Sequence, residues 1–185
     1  MIRRKSDGGW TCLDREYLFQ SQWFNLRQDQ VRLPNDDRIT YTLVEHPGYV
    51  LVVALLEGGS LLMERVYRYT VQETVLECPS GGVDKDPPEV AAHRELREET
   101  GYAAEKMEKL GSFFGSNGIS NEEFHVFLAR GLTCAGAPEL ENTEQIELEE
   151  LSFDVAYQMA LRGEISDAPS AYGIILAWHR IHGKN

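Results

Sequence analysis

Residues 94–102 read Arg94-Glu95-Leu96-Arg97-Glu98-Glu99-Thr100-Gly101-Tyr102, and this segment sets the architecture. At about 100° per residue, Glu95, Glu98 and Glu99 fall within roughly a 100° arc of one helix face, at i, i+3 and i+4. Gly101 is well placed to stop the helix. Upstream, Asp86 is positioned as its cap, with Pro87 and Pro88 in a first turn whose backbone N–H groups have no helical partner. Three carboxylates on one face repel one another unless a cation lies among their oxygens. A hard divalent ion such as Mg²⁺ or Mn²⁺ is the natural partner, because it takes carboxylate and carbonyl oxygens and keeps waters that a phosphate can displace. Arg94, one turn before Glu98, is spaced to hold that side chain by an ion pair. A glutamate-rich helix is ordinarily a solvated face, so the spacing alone does not make a site.

Working outward, residues 17 to 33 mix aromatic and polar positions. Pro34-Asn35-Asp36-Asp37 is a turn cluster leading into the β-branched stretch Ile39 to Val44, and together these predict a hairpin. Tyr49 to Leu56 reads as a strand buried on both faces, Gly58-Gly59 as a turn and Leu61 to Arg68 as the partner strand. Thr74 to Cys78 is a further strand, closed by Pro79-Ser80-Gly81-Gly82. After the helix, strands are expected near 107–114, 123–132 and 146–153. Two helices follow, about 154–162 and 169–182, the latter with Tyr172, Ile175, Leu176 and Trp178 to Ile181 on its apolar side. Strands interleaved with few helices argue for an α+β protein, a mixed sheet covered by helices.

The chain has 185 residues, with 30 Asp and Glu against 18 Lys and Arg, a formal net charge of −12. That length is ample for a hydrophobic core, and the charge argues against nucleic-acid binding, which depends on Lys and Arg neutralising phosphates. No apolar run approaches the roughly 20 residues that span a bilayer. The N-terminus is basic but leads into Gly8-Gly9-Trp10 rather than an apolar stretch, so export is not expected. Cys12, Cys78 and Cys134 fit neither a disulfide framework nor a CxxC metal site. They are expected to be reduced thiols in a cytoplasmic protein.

The segment 94–102 matches the REUxEExGU half of the Nudix box, with Leu96 and Tyr102 at its two apolar positions. From average composition, such a match arises by chance in a chain this long with a probability on the order of 10⁻⁵. The upstream half departs from the pattern. Asp86 stands where the family has Glu, and the loop from Gly81 is one residue short. Over about residues 20–182 the chain resembles the ADP-ribose pyrophosphatase branch of the Nudix hydrolases. The stretches that carry this are Val31-Arg32-Leu33-Pro34, Glu45-His46-Pro47-Gly48, Val66-Tyr67-Arg68-Tyr69, Leu76-Glu77-Cys78-Pro79-Ser80-Gly81-Gly82 and Phe127-Leu128-Ala129-Arg130-Gly131-Leu132.

The resemblance implies a Nudix α/β/α sandwich over residues 46–185, with an N-terminal β-hairpin region over 1–45 that contacts a second copy in a homodimer. It implies Mg²⁺-dependent hydrolysis of the pyrophosphate bond of ADP-ribose or a related nucleoside diphosphate sugar. The alternatives are GDP-mannose, a dinucleoside polyphosphate, or a sensor that binds a nucleotide sugar without cleaving it. By the same resemblance the metal ligands are Glu95, Glu98, Glu99, the Ser80 backbone carbonyl and Glu144. Glu144 and Glu98 are the catalytic candidates, with Glu141 a competitor of Glu144 for general base. Arg68, Ser120 and Glu122 are the substrate-binding candidates. Asn117 replaces a proline usual in this branch, which loosens the expectation of strict ADP-ribose preference.

Other candidates carry less. His179 and His182 share a helix face without a third ligand, His125 reads as a buried, hydrogen-bonded histidine, and His93 is expected to point away from the carboxylates. Ser80 lacks the GxSxG spacing of a serine hydrolase. Trp10, Trp23 and Phe24 are suited either to stacking on a base or to packing and dimer contacts.

Overall fold

The computed structural model describes residues 7–83, 85–140, 142 and 145–183. The chain divides into two units, one comprising residues 1–47 and 114–123 and the other 48–113 and 124–185.

The first unit is built on an antiparallel sheet in the order β1 (Thr11–Gln20), β2 (Asn25–Arg32), β3 (Arg38–Glu45). The expected turn at 34–37 joins β2 to β3, with Asp36 left-handed at φ 66° and Leu33 N–H donating to Asp37 O at 2.8 Å. The stretch read as starting at residue 17 is interrupted by a second turn. The Ser21 hydroxyl accepts from Trp23 and Phe24 N–H and donates to Phe24 O, a local side-chain bond that competes with a continuous strand. One sheet face is ionic: Arg27 pairs with Glu45 and with Asp29. The other is amide and hydroxyl, with Gln28 bonded to Thr42 and Gln30 to Thr40. Residues 116–121 run along β3, where Val44 N–H donates to Ile119 O at 2.8 Å and the Tyr41 hydroxyl to Gly118 O at 2.8 Å.

The second unit holds a seven-stranded mixed sheet. Its main path is β10 (Ile146–Ser152), β5 (Ser60–Arg68), β4 (Tyr49–Leu55), β9 (Glu123–Cys134) and β8 (Tyr102–Phe114), with β6 (Glu73–Glu77) on β5 and β7 (Ser80–Gly82) on β4. β4 and β9 are parallel. β4 is apolar throughout because both of its faces are covered. Val50, Val52 and Ala54 pack with Ala91, Ala92 and Leu96 of α1 (Pro88–Thr100). Leu51 and Val53 pack with Phe153, Ala156 and Ala160 of α2 (Phe153–Arg162) and Ile174 and Ala177 of α3 (Ala168–His182). One helix on one face and two on the other give the expected α/β/α layers. α3 lies so close to the sheet that a Cβ at Gly173 would stand 2.7 Å from Leu51 Cδ2.

Three local expectations are corrected. Residues 80–82 are a strand rather than only a turn, because Tyr49 to Leu51 offer them a free edge. Asp86 does not cap α1: the N-cap is Pro87, with no side-chain cap bond, and proline's fixed φ already suits the first turn. The buried face of α3 is Ser170, Gly173, Ile174 and Ala177, whereas Tyr172 and Ile181 are exposed. Ile175 and Trp178 pack against the core as expected, and Gly173 and Ala177 sit at the buried centre because the helix approaches the sheet closely.

Candidate active site

The segment 77–82 is tied down along its length and carries the site. Glu77 holds Arg68 through its side chain. Cys78 N–H donates to the hydroxyl of fully buried Ser170 at 2.9 Å, and Pro79 O accepts from Val52 N–H at 2.8 Å. Ser80 N–H donates to Glu99 Oε2 at 2.8 Å. Gly82 O accepts from Arg94 Nη2 at 2.9 Å. Gly81 provides space: a Cβ there would land on the carboxyl group of Glu95. Ser80–Gly82 is thus a short strand whose backbone and missing side chain receive Glu95 and Glu99 of α1.

On α1, Glu95 and Glu99 are buried to 7% and 6% exposure, while the Glu98 side chain is 42% exposed. The expected Arg94–Glu98 pair forms, at 3.1 Å, and the same Nη1 lies 2.8 Å from Glu95 Oε1. Arg94 therefore offsets repulsion on the carboxylate arc and ties it to Gly82. Gly101 ends the helix at φ 75°, and a Cβ there would meet Gly136 O. The chain after β9 folds back onto this helix end, with Ala135 N–H donating to Gly101 O at 2.8 Å and Glu139 N–H to Glu98 O at 2.7 Å. His93 lies with Arg94, Arg97, Glu98 and Glu139 around an open hollow of about 350 Å³, beside Glu98 rather than apart from the acidic face.

Arg68 is at the end of β5 and Glu77 at the end of β6. Arg68 Nε and Nη2 donate to the two Glu77 oxygens at 2.9 and 2.5 Å. The hydrogen bonds to Glu77 raise the guanidinium pKa above its ordinary value against the opposing effect of burial, and the Glu99 charge adds to the rise. Burial likewise pushes the Cys78 thiol up, so it is inert packing rather than a nucleophile.

The structure thus gathers Ser80, Glu95, Glu98 and Glu99 around one strand end, with Arg68 in electrostatic reach of Glu99. Ser120 and Glu122 belong to the other unit. There the Ser120 hydroxyl accepts from Glu122 N–H at 3.0 Å, and Glu122 Oε1 lies 3.4 Å from His46 Nδ1. Glu144 and its competitor Glu141 lie outside the described residues. Among the described residues, no three His, Cys, Asp or Glu side chains form a ready-made metal cage. Two buried carboxylates beside a strand of backbone carbonyls are nonetheless a hard-oxygen donor set of the kind Mg²⁺ uses, which is held by one or two carboxylates plus substrate phosphates. Sequence reasoning missed Glu77 and the second partner of Arg94. Glu77 carries no local signal, because only the pairing of β5 with β6 brings it within reach of Arg68.

His125 is half-buried rather than buried, with Nδ1 2.7 Å from the Ser112 hydroxyl, and the exposed His182 stacks on Trp178 at 3.9 Å between ring centroids. Cys12, Cys78 and Cys134 are free thiols. Among the described residues no helix is long and apolar enough to cross a membrane.

An α/β/α sandwich with glutamates of one helix set against a Pro-Ser-Gly-Gly strand is the architecture of a Nudix protein, and the chain belongs to the NUDIX domain family, whose model matches residues 45–170. Residues 10–44 match the model described as the nucleoside diphosphate sugar hydrolase N-terminal domain. The chain is 36% identical over 162 residues to the ADP-ribose pyrophosphatase of Bacillus subtilis (strain 168), covering 86% of this chain and 88% of that one. It is also 36% identical over 172 residues to the ADP-ribose pyrophosphatase of Mycobacterium tuberculosis (strain ATCC 25618 / H37Rv), covering 91% and 83%. A crystal structure of an ADP compounds hydrolase shares the fold with a TM-score of 0.82 at 19% identity, over 98% of this chain and all of that one.

Proposed function

We propose that the chain hydrolyses the pyrophosphate bond of ADP-ribose or a related nucleoside diphosphate sugar, giving a nucleoside monophosphate and a sugar phosphate. The observation that carries the reading is the pair Glu95 and Glu99, both more than nine-tenths buried, one seated in the space left by Gly81 and the other held by Ser80 N–H. Buried carboxylates are costly unless they are compensated. Arg94 Nη1 beside Glu95 and Ser80 N–H on Glu99 hold the pair at β7, where their oxygens form a hard-oxygen donor set suited to a divalent cation.

Glu95, Glu99 and the Ser80 carbonyl would hold Mg²⁺ or Mn²⁺, with Glu98 and Glu144 completing or supporting the set. When bound, the metal would polarise phosphoryl oxygens, lower the pKa of a coordinated water and neutralise leaving-group charge. Arg68 binds a phosphate oxygen, for which a guanidinium fork is suited. Glu144, or Glu141 in its place, takes a proton from the attacking water as that water's oxygen bonds to one phosphorus. The bond from that phosphorus to the bridging oxygen breaks, and the bridging oxygen leaves on the second phosphate. Ser120 and Glu122 contact the sugar end of the substrate.

We also read the protein as a cytoplasmic homodimer. All ten residues of β1 are exposed, and Leu13, Leu18, Phe19, Trp23 and Phe24 present apolar area that a second copy would cover. Sedimentation at micromolar concentration is expected to give twice the chain mass, and a monomer would remove this part.

The substrate is tested by comparing kcat/KM over ADP-ribose, GDP-mannose and a dinucleoside polyphosphate with Mg²⁺, with Mn²⁺ and with chelator. ADP-ribose is expected to lead and chelator to abolish turnover. Equal values across bases would remove the adenine preference. Tight ADP-ribose binding with no phosphomonoester formed in excess Mg²⁺ would replace the hydrolase reading with a sensor.

A further inference from the structure

We propose that Glu77 is a positioning residue for hydrolysis: it grips one edge of the Arg68 guanidinium and so presents the rest of that group to the substrate's phosphates. The proposal rests on the reading of Arg68 as a phosphate ligand. Arg68 Nε donates to Glu77 Oε1 at 2.9 Å and Nη2 to Oε2 at 2.5 Å, a bidentate side-on pair that leaves Nη1 outside it. A guanidinium has five donors in a rigid plane. Holding the Nε–Nη2 edge fixes that plane, while the Nη1 hydrogens and the second hydrogen on Nη2 remain available to an anion.

The surroundings suit positioning better than a surface ion pair. Glu77 is 6% exposed, whereas the Arg68 side chain is 46% exposed, so the carboxylate is the fixed partner and the guanidinium the accessible one. Glu77 is fixed from both chain directions. On β6 it pairs with Glu64 of β5, and the next residue, Cys78, donates its N–H to buried Ser170. Glu64, directly opposite, is 2% exposed. Arg68 supplies the cation that pairs with Glu77 there. The Glu99 charge also acts on Arg68 and favours its charged form.

The test is a double-mutant cycle on full-length protein with ADP-ribose and Mg²⁺, comparing wild type, Glu77→Gln, Arg68→Ala and the double variant. Folding is checked by thermal melting. Glu77→Gln keeps the side-chain volume and one acceptor but loses the charge. It is expected to raise KM about tenfold while kcat changes less, the signature of lost ground-state phosphate binding. In the Arg68→Ala background the same substitution is expected to leave KM unchanged, because Glu77 acts only through Arg68. Glu77→Asp, which keeps the charge on a shorter stem, is expected to fold if Glu77→Gln does not and to raise KM in the same direction. An unchanged KM in folded Glu77 variants, or an equal penalty with and without Arg68, would overturn the proposal. If Arg68→Ala itself left KM unchanged, the phosphate-ligand reading would fail instead, which separates the two.

Discussion

The two units of this chain solve the problem of holding a sheet together in opposite ways. The second unit encloses β4 between two apolar layers, and its seven consecutive strand residues include five that are buried. The first unit has, among its described residues, a single buried apolar side chain, Val31. Its sheet is held by ladders and by ion pairs such as Arg27 with Asp29 and Glu45, while its large apolar residues lie on the outside. Burial of apolar area stabilises by roughly 25 cal/mol per Å², whereas a largely buried pair such as Arg27 with Asp29 loses much of its attraction to desolvation. The second unit therefore has the rigidity to hold carboxylates at fixed positions. The first has an adaptable polar frame with an apolar exterior, suited to being covered.

Substitutions in the two units should separate accordingly, the largest effect coming from the carboxylate seat. Glu95→Gln is expected to lower kcat/KM by about a hundredfold or more, by weakening metal affinity, with little change in melting temperature. A normal metal titration of that variant would contradict the seat. Gly81→Ala, which drives a methyl group into Glu95, should cost on the order of ten- to a hundredfold in kcat/KM by displacing a catalytic group, and full activity would show that the seat has room. Gly173→Ala probes packing alone. Its Cβ would crowd Leu51 and Val53, so urea unfolding should show a loss of about 1–3 kcal/mol with kcat/KM of the folded protein unchanged.

The smallest effect belongs to the polar unit. The Glu45 carboxyl is held below its ordinary value, first by the Asn25 hydrogen bond, with Tyr17 and Arg27 adding to the shift against burial. A lowered carboxylate contributes stability that is present above the unfolded-state value and is lost as pH falls through the folded-state value. Glu45→Gln should therefore be less stable than wild type by under about 1 kcal/mol at pH 7. That difference should shrink to nothing in acid, and a difference independent of pH would show that the charge contributes nothing.

Much of the second unit is legible in the sequence because its signals are local. Pro87-Pro88 and Gly101 bracket α1, and the uninterrupted apolar run at 49–55 marks a strand covered on both sides. The three glutamates share a face, and Arg94 reaches Glu98 one turn on. The parts that are not legible depend on partners far along the chain. Ser80–Gly82 becomes a strand only because β4 has an edge for it, and Glu77 acquires a role only when β6 brings it to Arg68. The face of α3 is legible only in part: Ile175 and Trp178 do pack against the core, but the close approach to β4 puts Gly173 and Ala177, which the pattern passes over, at the buried centre. The Ser21 turn escapes notice for a different reason: one hydroxyl, with three backbone partners, breaks a pattern that otherwise reads as continuous.

The most direct measurement is phosphorus NMR of ADP-ribose incubated with Mg²⁺ and either wild-type protein or Glu99→Gln. Glutamine keeps an acceptor for Ser80 N–H while removing the charge. The wild type is expected to convert the diphosphate resonances into two phosphomonoester resonances, and Glu99→Gln to leave the diphosphate intact over the same time. Phosphomonoesters appearing at the same rate in both, or in neither, would contradict a hydrolytic site built on the α1 carboxylates.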